Sequence, residues 1–87
     1  MKHCELTITG RVQRIGFRFS AMQTAYKFNV KGFVKNVDGH VYIEAEGDDT
    51  SVQEFIDWCR RGPLGSRVDH VDVKENALRH YSAFDIL

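Results

Sequence analysis

Residues 10–18, GRVQRIGFR, are the segment of the sequence best suited to bind an anion. The segment contains two glycines, Gly10 and Gly16, and leads from a predicted strand into a predicted helix. Backbone N–H groups at a helix N-terminus have no partner within the helix, and the helix dipole adds about half a positive charge there. Arg18 is the second residue of the predicted helix, so its guanidinium can close over a bound phosphate. A surface loop with solvated arginines has the same composition, and spacing alone leaves both interpretations open.

Alternating polar and apolar residues predict the strands around this segment. Strands are expected over residues 3–9, 30–37, 40–46 and 68–74, with a short last strand in residues 81–87. The residues expected to face inward are Cys4, Leu6, Ile8, Val34, Val41, Ile43, Ala45, Val71, Val73, Phe84 and Ile86.

Two segments have the spacing of amphipathic helices. Residues 17–28 place Ala21, Ala25 and Phe28 on one stripe. The second helix follows Gly47, where the candidate N-cap residues are Asp48, Asp49, Thr50 and Ser51, and where Ser51 with Glu54 fits a capping box. Its apolar stripe is Val52, Phe55, Ile56 and Cys59, with Trp58 beside it, and it is expected to end at Arg60, Arg61 and the Gly62-Pro63 pair.

The predicted order is strand, helix, strand, strand, helix, strand, followed by a short terminal strand. This order, with one apolar stripe on each helix, predicts an α+β fold: a ferredoxin-like βαββαβ sandwich with two helices on one face of one antiparallel sheet. Asn36 shares the predicted core face of Val34, where a polar group needs a partner. Alternatively, Asn36 is satisfied at the strand end before the Asp38-Gly39 turn. Tyr42, Glu44 and Glu46 are expected to lie on a solvated open face.

Length and composition limit the classes of function. The 87 residues predict a single domain over residues 1–87, and the 12 basic and 12 acidic side chains leave a formal net charge of zero. Without a basic excess, general binding to nucleic acid or to a membrane surface is not expected. The sequence has no apolar leader and too few cysteines for a disulfide scaffold, which predicts a cytoplasmic, cofactor-independent small domain. We also expect a monomer, although nothing in the sequence fixes the oligomeric state.

Two motifs resemble a known family. GRVQRIGFR is similar to the acylphosphatase signature G-R-V-Q-G-V-x-F-R, and GFVKN at 32–36 is similar to that family's second signature, glycine-aromatic-valine-basic-asparagine. The spacing of the motifs, the Asp38-Gly39 hairpin and the Gly62-Pro63 pair also match the family's layout. The resemblance covers nearly the whole chain, and the family has the βαββαβ arrangement that periodicity predicts independently.

The resemblance implies an activity and a set of residues for it. Family members hydrolyse the carboxyl–phosphate bond of acyl phosphates to a carboxylate and inorganic phosphate, which is also a competitor, and they need no metal and no cofactor. Arg18 would bind the phosphoryl group together with loop amides, and Asn36 would orient the attacking water. The implied phosphate-binding set is Val12, Gln13, Arg14, Ile15, Gly16, Phe17 and Arg18.

These few residues are chemically sufficient for that reaction. The leaving carboxylate has a conjugate acid with a pKa of about 4, so it departs without a general acid. The anionic phosphoryl group needs its charge stabilised during transfer, which an arginine and preorganised N–H groups can do. The absence of any cluster of histidine, cysteine or carboxylate residues in the sequence is consistent with this reaction.

Arg14 departs from the family pattern, which has glycine at that position. We attribute the glycine to a backbone with positive φ or to close approach of the phosphate. Arg14 is therefore expected to be tolerated with a slightly altered loop, to add a second guanidinium toward the anion, or to obstruct the site. We expect activity, although obstruction would leave a protein that binds phosphate without turnover.

The remaining chemically active residues give weaker indications. His3, His40, His70 and His80 lack metal-ligand spacing and are expected to be solvated or at strand edges. Cys4 and Cys59 are expected to be reduced and packed in the core.

An RNA-binding module is the alternative of another class. Phe33 and Tyr42 point to the open sheet face, as the aromatic residues of RNA-recognition modules do. The zero net charge and the presence of Glu44 and Glu46 on that face argue against this function.

Overall fold

The predicted elements are all present in the computed structural model, which describes all 87 residues. The strand bounds differ from the predicted ones by a few residues at their ends. The elements are β1 Lys2–Arg11, α1 Phe17–Phe28, β2 Lys31–Val37, β3 His40–Gly47, α2 Asp49–Arg61, β4 Arg67–Asn76 and β5 Phe84–Ile86. Neither helix has the length and apolar character needed to cross a bilayer.

The five strands form one sheet in the order β4-β1-β3-β2-β5. Neighbours among β1 to β4 are antiparallel, as predicted for the ferredoxin-like sandwich, whereas β5 pairs with β2 in parallel. After β4 the chain crosses to the other edge, and β5 begins at the end of the sheet where β4 finishes, so β5 runs in the same direction as β2. The sheet is therefore mixed, and β5 lies next to the strand that carries Asn36.

The core lies between the sheet and the two helices. Phe17, Ala21 and Ala25 of α1 are buried, and the whole predicted stripe of α2 is buried with them. Trp58 packs against Phe17 and Phe55, with ring centroids 5.5 Å and 6.2 Å away. Cys4 and Cys59 are buried free thiols, as expected. This packing fixes the start of α1 against the sheet.

Of the four candidate N-cap residues of α2 the structure uses Asp48, and the predicted Ser51–Glu54 capping box is wrong. The helix begins at Asp49 with Asp48 as its N-cap residue, and no side chain caps it. The amide of Val52 donates to the Asp48 carbonyl at 2.9 Å, so Ser51 already lies within the first turn. The acidic Asp49 in that turn favours the earlier start because it faces the positive end of the helix dipole.

Two of the residues predicted to face inward remain substantially exposed. Val73 is 41% exposed and Ile86 is 39% exposed. Both lie on edge strands, β4 and β5, which have a neighbour on one side only. The alternation is therefore correct at these positions, but the helices do not cover them.

The open face of the sheet is covered where the sequence predicts solvent. Glu46 is only 2% exposed, and the backbone N–H groups of Arg79, His80 and Tyr81 donate to its carboxylate. Tyr42 and Tyr81 donate their hydroxyls to Glu44. The prediction of a solvated face is wrong because residues 77–81 cross it on the way to β5.

His3 is likewise buried rather than solvated. Its Nδ1 lies 2.9 Å from the Ala77 carbonyl oxygen, and its Nε2 lies 2.8 Å from Glu44 Oε1. The carbonyl and the carboxylate thus lie on opposite sides of the imidazole ring and hold it under residues 77–81. The other three histidines are exposed or half-buried, as predicted.

Candidate active site

The loop between β1 and α1 leads directly into an uncapped helix N-terminus. Gly16 is the N-cap residue of α1 with φ 78°, and no side chain caps the helix. The first backbone bond of the helix runs from the Ser20 amide to the Gly16 carbonyl at 3.0 Å. The three amides before Ser20 therefore lack partners within the helix, as expected for a first turn. Without an acidic residue in that turn, the helix dipole is not neutralised locally.

A pocket of about 210 Å³ opens at this helix N-terminus. Its lining includes two arginines and no acidic residue, although the whole chain has a net charge of zero. The local charge therefore favours an anion. The lining residues are Val12, Gln13, Arg14, Gly16, Phe17, Arg18, Phe19, Asn36 and Ile86.

The pocket contains Arg18 and Asn36, the two residues singled out from the two motifs. Six of the seven residues in the implied phosphate-binding set border it as well, counting Arg18. Ile15 is the exception because its side chain packs against the hydrophobic core. The loop thus contributes an apolar anchor as well as the residues that face the pocket.

Asn36 is exposed, which corrects the expectation of a buried amide that needs a partner. Gly32 and Val34, on the same face of β2, are buried, but the strand continues past the helices before Asn36. The amide therefore borders the pocket instead of the core. Strand alternation correctly predicts that Asn36 lies on the helix side of the sheet. It cannot show that the helices leave this end of β2 uncovered.

Arg14 adopts the left-handed conformation, with φ 63°. This geometry agrees with the reason inferred for the family's glycine, because a side chain in this region of φ costs about 1–2 kcal/mol. The Arg14 side chain is exposed at the pocket and does not fill it. The loop therefore has at this position the positive φ that glycine favours, although arginine occupies it.

Two side-chain hydrogen bonds connect the pocket walls to the sheet. Gln13 Nε2 donates to the His40 carbonyl at 3.0 Å, which ties the loop to the start of β3. Arg18 Nη1 donates to the Leu87 carbonyl at 3.5 Å, and the Leu87 amide donates to Val34 at 2.9 Å. These contacts hold the loop and Arg18 against the strands that carry the rest of the pocket.

Gly32, the first residue of the second motif, is required by close backbone approach. Its φ is 138°, and a Cβ there would overlap the Glu44 carbonyl oxygen on the neighbouring strand. A larger residue would push β2 away from β3. Because Asn36 lies on the same strand, this glycine helps to set its distance from the loop.

Phe19 and Ile86 also border the pocket, and the sequence reasoning missed them as site residues. Phe19 follows Arg18 in the first turn of α1 but lies outside the apolar stripe. Ile86 pairs with Val34, two positions before Asn36 on the neighbouring strand. The signal for Phe19 was an aromatic residue off the core stripe, whereas nothing in the sequence indicates the parallel pairing of β5.

Comparison with known proteins identifies the family of this chain. The sequence model of the Acylphosphatase family matches residues 4–86. The chain belongs to the acylphosphatase family. The acylphosphatase of Lactiplantibacillus plantarum is 44% identical to it over 88 residues, covering 99% of this chain and 98% of that protein. The acylphosphatase of Methylococcus capsulatus is 40% identical, covering 100% of this chain and 97% of that protein.

Solved acylphosphatase structures share the fold over the full chain. The crystal structure of the acylphosphatase from Bacillus subtilis superposes with a TM-score of 0.97 at 35% identity, covering 100% of this chain and 99% of that chain. The acylphosphatase from Coxiella burnetii gives a TM-score of 0.96 at 30% identity, covering 99% and 92% of the two chains. The acylphosphatase assignment makes the chain a hydrolase whose substrate is a small acyl phosphate and whose product is inorganic phosphate.

Proposed function

We propose that this acylphosphatase holds the phosphoryl group between the amides of residues 12–17 and the Arg18 guanidinium, while Asn36 orients the attacking water. The observation that carries the proposal is that Arg18, Asn36 and the uncapped start of α1 border one small pocket. Its two arginines and the helix dipole supply positive charge where the phosphoryl oxygens would lie.

The chemistry follows from this arrangement. The substrate phosphoryl group enters with its charge already matched by the guanidinium and the amides, so these groups need little rearrangement as charge develops in transfer. Asn36, on the sheet side, can accept a hydrogen bond from the water through its amide oxygen and hold the water in line with the bond that breaks, and the protons of the water end on the inorganic phosphate product. The carboxylate leaves as an anion, and no side chain has to donate a proton to it.

The test compares three proteins in the hydrolysis of benzoyl phosphate. Replacing one preorganised charge-stabilising group commonly costs about a hundredfold in rate, so Arg18→Ala should lower kcat/KM by about that factor or more. Arg61→Ala removes an exposed arginine from the last turn of α2 and is the matched control, with activity expected to stay at the wild-type level. Equal activity of the Arg18→Ala and Arg61→Ala proteins would contradict the proposal.

Two further arms of that experiment define the reaction. Inorganic phosphate should inhibit competitively, since it occupies the place of the phosphoryl group. Activity should persist in the presence of a chelator, since we propose that no metal and no cofactor take part. Phosphate binding without turnover by the wild-type protein would favour a catalytically silent domain instead.

We also propose that residues 1–87 act as one monomeric domain in the cytoplasm, without a nucleic-acid partner. Arg18, Asn36 and the start of α1 come together within a single chain, so the proposed site needs no residue from a second copy. The two free thiols suit a reducing compartment. Size-exclusion chromatography with light scattering tests the oligomeric state.

A further inference from the structure

Phe19 is a large apolar side chain at the rim of the anion pocket, where Ile86 is the other exposed apolar residue. Phe19 borders the pocket, yet 55% of it is exposed. Val12 and Phe17 also border the pocket, but both are buried in the core and hold the loop in place. Phe19 therefore has apolar surface available for a ligand that the fold itself does not use.

The size of the pocket limits what it can enclose. Pockets that enclose drug-sized ligands have volumes of about 300–1,000 Å³, whereas this pocket has about 210 Å³. With the phosphoryl group at the loop amides, the acyl group of a substrate has to extend across the rim. The residues exposed at that rim therefore contact the acyl group.

In-line displacement indicates which side of the rim the acyl group takes. Asn36 and Ile86 form the sheet-side wall, because Ile86 pairs with Val34 on the strand beside Asn36. With the water held by Asn36, the leaving carboxylate departs on the opposite side of phosphorus. The first turn of α1, where Phe19 follows Arg18, borders the pocket from a different element, and Phe19 is the more exposed of the two apolar side chains at the rim, at 55% against 39% for Ile86.

We propose that Phe19 forms the acyl subsite of this enzyme and favours acyl phosphates with an aromatic or bulky apolar acyl group. This inference rests on the proposed function, since it needs the phosphoryl group at the loop and the water at Asn36. An aromatic acyl group packs against the Phe19 ring, whereas an acetyl group is too small to cover it.

The test measures KM and kcat for benzoyl phosphate and acetyl phosphate with each variant. Loss of an aromatic pair should raise the KM of the Phe19→Ala protein for benzoyl phosphate about fivefold to tenfold, while its KM for acetyl phosphate changes by less than about twofold. The conservative variant Phe19→Leu should give an intermediate KM for benzoyl phosphate. Tyr26→Ala, which removes an exposed aromatic residue two turns further along α1, should leave both KM values unchanged.

Ile86→Ala separates the two walls of the pocket. Because Ile86 lies on the water side, its loss should affect both substrates by the same factor. Equal changes in the two KM values for Phe19→Ala, or no change in either, would overturn the Phe19 inference while leaving the proposed function intact. If the wild-type protein hydrolyses neither substrate, the proposed function is overturned, and the acyl subsite with it.

Discussion

The side-chain amide of Gln13 donates a hydrogen bond to the backbone carbonyl of His40 across 3.0 Å, and this bond joins the two halves of the pocket. Gln13 lies in the loop that supplies the amides. His40 begins β3 and pairs with Val37, the residue that follows Asn36 on β2. The Gln13 side chain therefore ties the loop to the β2–β3 hairpin that contains Asn36, in addition to the backbone hydrogen bonds of the sheet.

Replacing Gln13 by alanine should lower kcat more than stability. A displacement of about 1 Å between reacting groups can cost about a hundredfold in rate, so a loosened loop should reduce kcat by about tenfold. Loss of one such hydrogen bond should lower the free energy of unfolding by only about 1 kcal/mol. Gln53→Ala is the control, because Gln53 also donates a side-chain bond, to Asp57, but on the far helix. A wild-type kcat in Gln13→Ala would exclude the positioning role.

Asn36→Ala should separate turnover from binding. If Asn36 orients water, its loss lowers kcat by about tenfold to a hundredfold, while the inhibition constant for inorganic phosphate stays within about twofold of the wild-type value. Steady-state kinetics with benzoyl phosphate and phosphate inhibition give both values. A rise in the inhibition constant that matches the fall in kcat would show that Asn36 binds the phosphoryl group instead.

Arg14 allows backbone strain to be separated from charge. Glycine relieves the left-handed strain at φ 63° but adds flexibility to the unfolded chain, so Arg14→Gly should raise the free energy of unfolding by about 0.5–1 kcal/mol. Arg14→Ala removes the same charge but keeps the strain. Both variants should bind phosphate several-fold more weakly, and only the glycine variant should unfold at higher urea concentration. Tighter phosphate binding in either variant would mean that Arg14 obstructs the pocket.

The buried Glu46 carboxylate should make the fold sensitive to acid. Burial by itself would raise the pKa of Glu46, but three backbone N–H donors outweigh it and hold that pKa below its ordinary value of 4.5. The carboxylate therefore stabilises the fold above pH of about 4.5, and this stabilisation is lost as the pH falls through the lowered folded pKa. Acid unfolding should begin below that range.

Glu46→Gln tests this contribution directly. The glutamine NH₂ group must face a backbone N–H donor, so the free energy of unfolding of the variant should fall by about 2 kcal/mol at pH 7. This loss should lower the melting temperature by about 10 °C. The difference in the free energy of unfolding between the variant and wild type should be smaller at pH 3, because the stabilisation by the Glu46 carboxylate is lost as the pH falls. Glu75→Gln, at an exposed position on β4, should not change stability at either pH. If the free energies of unfolding of Glu46→Gln and wild type differ by the same amount at both pH values, the Glu46 carboxylate does not stabilise the fold as described.

The sequence predicts the helix-covered side of the fold better than the open side. The stripe of α1 predicts its bounds because apolar spacing reports directly on burial against the sheet. Glu46 shows the limit, since alternation assigns it to the outer face but cannot show that residues 77–81 cross that face. Those residues have no periodic pattern, and their contacts with Glu46 are made by backbone amides, which any sequence possesses.

The candidate site depended on a different kind of information. Periodicity places Arg18 on a helix and Asn36 on a strand, but only the resemblance to acylphosphatases predicted that both belong to one site. Phe19 and Ile86 escaped prediction because a pocket rim depends on where the elements end in space. At Arg14 the sequence did predict the local structure. The family motif has glycine at this position, which indicated a positive φ, and Arg14 has φ 63°.

The most direct test of the phosphoryl site is a crystal structure of the protein with bound phosphate. The anion should lie within hydrogen-bond distance of the amides of residues 12–17 and of the Arg18 guanidinium, with Asn36 facing it across the pocket. A pocket without the anion at saturating phosphate, with Arg14 folded across it or Arg18 directed to solvent, would contradict the account.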